Sequence, residues 1–404
     1  MADLLLLAHR MPFPPEKSGR HRPWHVLRHL AERHRVHLGC FYDDPREAQY
    51  VAELEEHCAS LVCLPIHPWL RGLKSLVAVG TGEAMSVAYY RDVRLMRWIA
   101  ETFARWRPTE AFVCSSAMAP YLDGYRFATR IVDMVDVGSE KWHQYADDSY
   151  WPLSVAYRRE AQRLRRSESA AARNFDYALF ESAPEASLFL KRTHRSTARV
   201  LSMRDGIDFD YFDPARAGAN PYPAGRKTIV LTGAIDNRRS ARAAQWFVTE
   251  VMTALRHRFP AFDFWIVGGR PGWRLRALGR GDVHVTGRVD DIRPYIAHAD
   301  AVVAPGQIGR GVQNRVLEAM AMAKPVIATP DALEGLNLKV GDEVLAASNG
   351  QQFANTIARV FAGEMALLGT RARARVVADY SWPASLRALD ALLAEPRPVF
   401  AAAS

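Results

Sequence analysis

The sequence predicts an α/β fold of two tandem domains, each a parallel, doubly wound sheet with helices packed on it. Three observations carry that expectation. The chain has 404 residues, more than one hydrophobic core of roughly 250–300 residues accommodates. Short apolar runs alternate with helical patterns along nearly its whole length, which is the βαβ rhythm of a parallel sheet. The rhythm breaks once, at Asp213–Arg226, where Pro, Gly and Ala accumulate and the chain reads as a linker.

In the first half, Leu4–Ala8, Val36–Tyr42, Leu61–Ile66, Ala111–Cys114, Ile131–Val135 and Tyr177–Phe180 are short apolar runs of strand length. Arg22–Arg33, Val93–Trp106 and Leu153–Asn174 between them carry helical periodicity. In the second half, strands are expected at Thr228–Leu231, Phe262–Val267, Val283–Thr286, Ala301–Ala304 and Pro325–Ala328. The intervening helices are expected at Ala241–Arg258, Ile292–Ala297 and Val312–Met322. Two such sheets in tandem put a ligand cleft at the carboxyl ends of their strands.

Composition excludes several classes. Hydrophobic residues at 49% and charged residues at 24% are those of a globular chain, not of a disordered or fibrous one. No apolar run approaches the ~18 residues of a membrane span. Leu4–Ala8 is too short for a signal-peptide core and no basic segment precedes it, so a cytoplasmic location is expected. The four cysteines form no C-x-x-C pair and read as reduced, small hydrophobes. A net charge of +9 favours anionic partners, although a chain rich in Arg and Ala has the same balance for reasons of composition alone. Nucleic acid ranks last among those partners, because aromatic and basic residues do not interleave.

No G-x-G-x-x-G follows Leu4–Ala8, and there is no Walker A sequence, no G-x-S-x-G and no H-E-x-x-H. The sequence therefore points away from nicotinamide dehydrogenases and P-loop enzymes. Pro12–Arg20 joins the first strand to a helix, and its Gly19, Lys17 and Arg20 suit an anion at a helix start, as any βα loop with glycine and basic residues also would. His21, His25 and His29 recur every fourth residue on one helical face. Nothing in the sequence completes a tetrahedral zinc site around them, and a polar helix face is the expected role. Asp300–Thr329 is the most informative segment. A strand ends in Ala304-Pro305, a glycine-bearing loop follows, and a helix opens near Gly311–Gln313. Free amides and the positive end of the dipole there suit a diphosphate. Glu318, about two turns on, is at a distance where a carboxylate accepts from a ribose diol.

This segment resembles the signature of retaining GT-B glycosyltransferases of group 1 (family 4). More narrowly, the chain resembles the sugar transferases associated with exosortase/PEP-CTERM exopolysaccharide loci. The residues that carry the likeness are spread from end to end: Pro14–Gly19 with Trp24–Leu30, Asp133–Trp142, Asp205–Phe212, Thr232–Ala234, Thr286–Ala304, Gly311–Thr329 and Tyr380–Trp382. The resemblance implies a GT-B fold. Its N-terminal acceptor-binding domain spans residues 1–205 together with a returning helix at 383–404, and its nucleotide-sugar domain spans 206–382. It implies a nucleotide-diphosphate sugar as donor, no metal or other cofactor, and a saccharide or polyprenyl-diphosphate-linked oligosaccharide as acceptor. By the same resemblance Glu318 holds the ribose, and Gly311, Val312 and Gln313 meet the phosphates. Arg288 and Val289 frame the base, while Gly19 and Gly233 approach the donor.

Three departures from the family pattern stand out. Arg310 occupies the place of the first glutamate of E-x7-E, where a guanidinium clamps phosphate instead of accepting from a sugar hydroxyl. The basic pair expected after the first C-terminal strand is displaced, leaving Arg238 and Arg239 as the nearest candidates. Arg204-Asp205 replaces the usual Pro-Asn before Gly206. Catalysis by such an enzyme rests on positioning and on stabilising the leaving diphosphate. Arg310 is assigned to the phosphate, and Asp133 and Asp136, at the end of an N-terminal strand, to the acceptor hydroxyl. A helix cap or an ion pair to Lys141 is the competing role for the two aspartates. Pro68–Gly80 has an apolar stripe bordered by Arg71 and Lys74, which suits docking at the inner-membrane surface and equally an ordinary packed helix. A sugar-nucleotide 2-epimerase and a non-catalytic scaffold are the alternative readings.

Overall fold

A computed structural model describes residues 1–15, 19–67, 82–193, 196–233, 238–259, 261–269, 271–306 and 314–394, without the side chains of 238–240. The chain forms two compact units. One comprises Met1–Met203 and the chain from Leu386 onward, the other Arg204–Ser385.

The first unit is built on seven parallel strands: β1 (Ala2–Ala8), β2 (His34–Tyr42), β3 (Ser60–Pro65), β4 (Glu110–Cys114), β5 (Thr129–Val135), β6 (Tyr177–Phe180) and β7 (Arg199–Ser202). Their order is β3-β2-β1-β4-β5-β6-β7. Strand β1 is central, so both its faces are covered. Leu4 to Ala8 are fully buried, which explains an unbroken apolar run where a half-exposed strand would alternate. The sequence direction of the sheet reverses between β1 and β4, and this is the switch point where a doubly wound sheet leaves a crevice.

The second unit has six parallel strands: β8 (Lys227–Thr232), β9 (Phe262–Val267), β10 (Val283–Gly287), β11 (Ala301–Ala304), β12 (Val326–Ala328) and β13 (Leu345–Ala346). They are ordered β10-β9-β8-β11-β12-β13, with the switch between β8 and β11. Alternation along β8 divides the core. Ile229 and Leu231 pack with Phe247, Phe264 and Phe353 on one face. Val230 packs with Val316, Leu317 and Met320 of the helix Asn314–Ala321 on the other.

Three expectations change. Strands β7 and β13 were not visible as apolar runs: both lie at sheet edges, and β13 has only two residues. Asp213–Arg226 is no linker between domains. It lies inside the second unit, where Ala217 and Tyr222 are buried and the Tyr222 hydroxyl donates to the Tyr295 carbonyl at 2.5 Å. The expected helix Ala241–Arg258 is interrupted. A π-helical turn, Phe247–Val251, separates Arg238–Trp246 from Met252–Arg256. Phe247, Val251 and Met252 are all buried across it, and Phe247 packs on Phe264 with ring centroids 4.4 Å apart. The helix expected over Val312–Met322 is described from Asn314 to Ala321.

The last helix, Trp382–Ala394, starts in the second unit and continues in the first. Within the first unit Asp390 pairs with His29 at 2.6 Å and with Arg33 at 2.7 Å. His29 is therefore a helix-to-helix contact rather than a metal ligand. At the start of that helix Ile207 bridges Ser381, and Gly206 lies so close that an added Cβ would sit 2.4 Å from the Trp382 backbone.

Candidate functional site

The switch point of the second unit gathers the polar groups that its core does not use. Three adjacent strand ends carry glycines at positive φ: Gly233 after β8, Gly268 after β9 and Gly287 ending β10. The Gly233 amide donates to the Val267 carbonyl and the Gly268 amide to the Gly287 carbonyl, which holds the three turns in one ledge. A Cβ on Gly268 would lie 2.7 Å from the Gly233 carbonyl oxygen, so backbone approaches backbone here as it could with no other residue. Among the described residues, the Arg315 guanidinium is what borders the Cβ side of Gly233. Its Cζ and Nε lie 4.0 Å from the place a Cβ would take. On the other side of the switch, Thr329 donates its hydroxyl to the Gly306 carbonyl and accepts from the Gly306 amide, which fixes the loop that leaves β11.

The helix Asn314–Ala321 buries Val316, Leu317, Ala319, Met320 and Ala321, leaving Asn314, Arg315 and Glu318 off its core face. Arg315 and Glu318 are three residues apart and so share a side. Burial pushes the Glu318 carboxyl up to about 7, while the Arg315 charge pulls it down. Burial likewise lowers the Arg315 guanidinium from its ordinary value, with Glu318 opposing. Among the described residues neither side chain has a hydrogen bond or an ion pair. The buried Oδ1 of Asn314 and the buried Oγ1 of Thr232, chain neighbours of Arg315 and Gly233, also lack hydrogen-bond partners. Four uncompensated polar groups at one switch point are costly in a core and ordinary in a binding site.

Of the other donor residues read from the sequence, Gly19 has φ +79 and ends the loop before the helix His21–Ala31. Arg288 is exposed, and Val289 packs on the second unit's core. Arg238 and Arg239 open their helix, their side chains lying outside the described residues. Arg310, Gly311, Val312 and Gln313 lie outside them too, as do Lys17 and Pro68–Gly80. Arg315 was not singled out in the sequence, although an arginine three residues before Glu318 is the available signal.

The first unit places the two aspartates differently. Asp133 is buried and receives two hydrogen bonds from Arg22, Nε to Oδ2 at 2.5 Å and Nη2 to Oδ1 at 2.9 Å. Arg22 also donates to the Met203 carbonyl at 2.6 Å. With both carboxylate oxygens engaged and the side chain 1% exposed, Asp133 is a structural ion pair and not a group offered to an acceptor. Asp136 differs. It is half-exposed and pairs with Lys141 at 3.5 Å. Its amide donates to the Met134 carbonyl across Val135, whose φ is +65. That is a γ-turn of the rare, strained kind, on a β-branched residue.

A cavity of about 120 Å³ lies at the carboxyl ends of β1, β2 and β3, lined by His9, Arg10, Phe41, Tyr42, Asp43, Ile66, Tyr89 and Tyr90. His9 meets Tyr90 edge-on at 5.6 Å. Burial holds its imidazole down to about 4, and the Arg10 charge adds to this. The cavity thus offers a neutral imidazole, aromatic rings and one charge of each sign. Among the described residues no group of three or more His, Cys, Asp or Glu is arranged to hold a metal ion. No helix among them is long and apolar enough to cross a membrane.

Comparison with known proteins bears on the second unit first. Residues 226–362 match the family model for group 1 glycosyl transferases. The matched segment contains the ledge Gly233–Gly268–Gly287 and the helix with Arg315 and Glu318. No curated protein matches the chain in sequence. Solved structures match it over nearly its full length. Sucrose-phosphate synthase from Thermosynechococcus elongatus aligns at 17% identity with a TM-score of 0.67, over 97% of this chain and 98% of that one. HepE of Anabaena in complex with UDP-glucose aligns at 15% and 0.65, over 97% and 99%. WaaG, a glycosyltransferase involved in lipopolysaccharide biosynthesis, aligns at 15% and 0.63, over 97% and 100%. The fold is GT-B, as the resemblance implied: a seven-stranded and a six-stranded parallel sheet, each Rossmann-like.

Proposed function

We propose that this protein transfers a sugar from a nucleotide-diphosphate sugar to a saccharide acceptor, with retention at the transferred carbon and without a metal ion. One observation carries the reading. Inside a group 1 glycosyltransferase domain, the part-buried Glu318 carboxyl stands without a hydrogen-bond partner among the described residues, at the β8/β11 switch point. A buried carboxyl of that kind is completed by a ligand that donates hydrogen bonds, and a ribose diol does so. The structurally similar HepE is described with UDP, with UDP and glucose, and with UDP-glucose, which supports a nucleotide sugar as donor.

The leaving diphosphate gathers negative charge as the glycosidic bond breaks, so preorganised donors beside it lower the barrier. Arg310, Gly311, Val312 and Gln313 keep their sequence-based assignment to that phosphate, and Arg288 and Val289 theirs to the base. Asp136 keeps the acceptor role that Asp133 loses, supported by the strained turn that presents it. The acceptor's sugar ring fits the cavity at His9, Arg10, Asp43 and Tyr90, where aromatic faces and polar groups converge. The reading extends to an exopolysaccharide intermediate, lipid-linked at the cytoplasmic face of the inner membrane, and to a hexose as the group transferred.

Incubation with UDP-glucose, UDP-galactose, GDP-mannose and ADP-glucose, followed by NMR of the products, tests this function. Release of a nucleoside diphosphate from one donor, lost in Glu318→Ala, is expected. Isomerised donor without release would identify an epimerase, and no change in any donor would identify a scaffold.

A further inference from the structure

We propose that Arg315 binds the donor's diphosphate in this chain together with Arg310, taking the place of the basic pair displaced from the loop after β8. This inference rests on the donor-site reading above and gives that site its phosphate ligand.

The argument begins with the space over Gly233. The turn there has φ +122, and among the described residues the Arg315 guanidinium is what lies within 4 Å of an added Cβ. A ligand entering at the switch point therefore meets the side-chain-free turn at Gly233 on one side and the guanidinium on the other. Arg315 is the side chain that a diphosphate needs: a planar fork whose N–H groups match two phosphate oxygens at once. It is also available, since among the described residues it makes no hydrogen bond or ion pair. A guanidinium drawn into partial burial with no hydrogen bond among the described residues, and only the Glu318 charge opposing its desolvation, is a poor structural element. An anion supplies the compensation. The buried Oγ1 of Thr232, next to Gly233, also lacks a partner among the described residues, and a hydroxyl can donate to a phosphate oxygen.

Spacing adds a second, independent support. Arg315 and Glu318 are three residues apart, which is about 4.5 Å along a helix axis. A nucleotide's ribose hydroxyls and its phosphates are separated by a comparable span. One helix face can then hold the ribose at Glu318 and the diphosphate at Arg315. Their opposite charges keep this face near neutral until the ligand arrives.

Isothermal titration separates this inference from the reading beneath it. Wild-type protein is titrated with UDP, GDP and ADP and with UMP, GMP and AMP, then compared with Arg315→Gln, Arg315→Lys, and Arg238→Ala with Arg239→Ala. The expected result is a diphosphate that binds wild type more tightly than its monophosphate, and an increment that falls roughly 10- to 100-fold in Arg315→Gln. Arg315→Lys should recover part of it. Monophosphate affinity and the ligand-free melting temperature should hardly move, and a purely structural role would shift both. If wild type binds a diphosphate and Arg315→Gln binds it within twofold as well, Arg315 is not the phosphate ligand and the donor site stands. Loss of the increment in the Arg238/Arg239 variant alone would overturn the proposal in the same way. If wild type binds none of the six, the donor-site reading itself fails and takes this one with it.

Discussion

Asp133→Asn distinguishes a catalytic aspartate from a structural one. The Arg22–Asp133 pair is bidentate, with side chains 5% and 1% exposed, so neither charge can turn to water when the other is removed. Asparagine keeps the shape of the side chain and loses its charge. It leaves the Arg22 guanidinium buried against one side-chain oxygen that still accepts and an NH2 group that cannot. Breaking a buried pair this way costs about 3–5 kcal/mol. For a domain of 150–250 residues each kcal/mol moves the melting temperature by about 2–4 °C, so a drop of about 6–20 °C is expected for the transition of the first unit. The assay is thermal unfolding by circular dichroism at neutral pH. The double variant Arg22→Met with Asp133→Leu should recover most of the loss, because an apolar pair of similar volume avoids the desolvation cost. An Asp133→Asn protein that melts with wild type yet loses turnover would refute the reasoning and restore the catalytic role.

Three further outcomes follow from the geometry. Gly206→Ala should destabilise the second unit by several kcal/mol, seen as a lower urea midpoint, because its Cβ would meet the Trp382 backbone at 2.4 Å, where no flexible side chain can yield. Burial raises the Glu168 carboxyl to about 7, against the hydrogen bonds it accepts from Ser139. The folded state therefore holds that proton longer than the unfolded chain does, so stability falls as pH rises from about 4.5 to 7. The group's share is on the order of 3 kcal/mol, and urea melts across this range should show that slope reduced in Glu168→Gln. Tyr90→Ala, at the cavity in the first unit, should raise the acceptor KM tenfold or more while nucleotide affinity stays unchanged in titration. Weakened nucleotide binding would place the cavity's role elsewhere.

Where apolar runs sit on central strands, the sequence is transparent. Leu4–Ala8 and Phe262–Val267 are buried on both faces and read as strands from composition alone. Edge elements such as Arg199–Ser202 and Leu345–Ala346 are not, because few contacts constrain their residue types. The π-helical turn at Phe247 was hidden because the one residue that widens it leaves the apolar pattern nearly intact. At the candidate site, Glu318 stood out by its spacing to the glycine-bearing loop, and the structure leaves it part-buried with no hydrogen bond among the described residues. Arg315 did not stand out, since its meaning lies in proximity to Gly233, more than eighty residues away in the chain. Asp133 misled for the same reason: its partner Arg22 sits on the first helix, and only the paired sheet brings them together.

The central claim is that the β8/β11 switch point of the second unit holds a nucleotide with Glu318 at its ribose. Thermal unfolding of wild type and Glu318→Ala against UDP, GDP, ADP and their sugar conjugates tests it most directly. At a ligand concentration 100 times Kd, binding adds about 2.7 kcal/mol, or about 5–11 °C for a domain of this size. The account predicts such a shift for one base with wild type and its loss in Glu318→Ala. An equal shift in both proteins, or none in either, would contradict it.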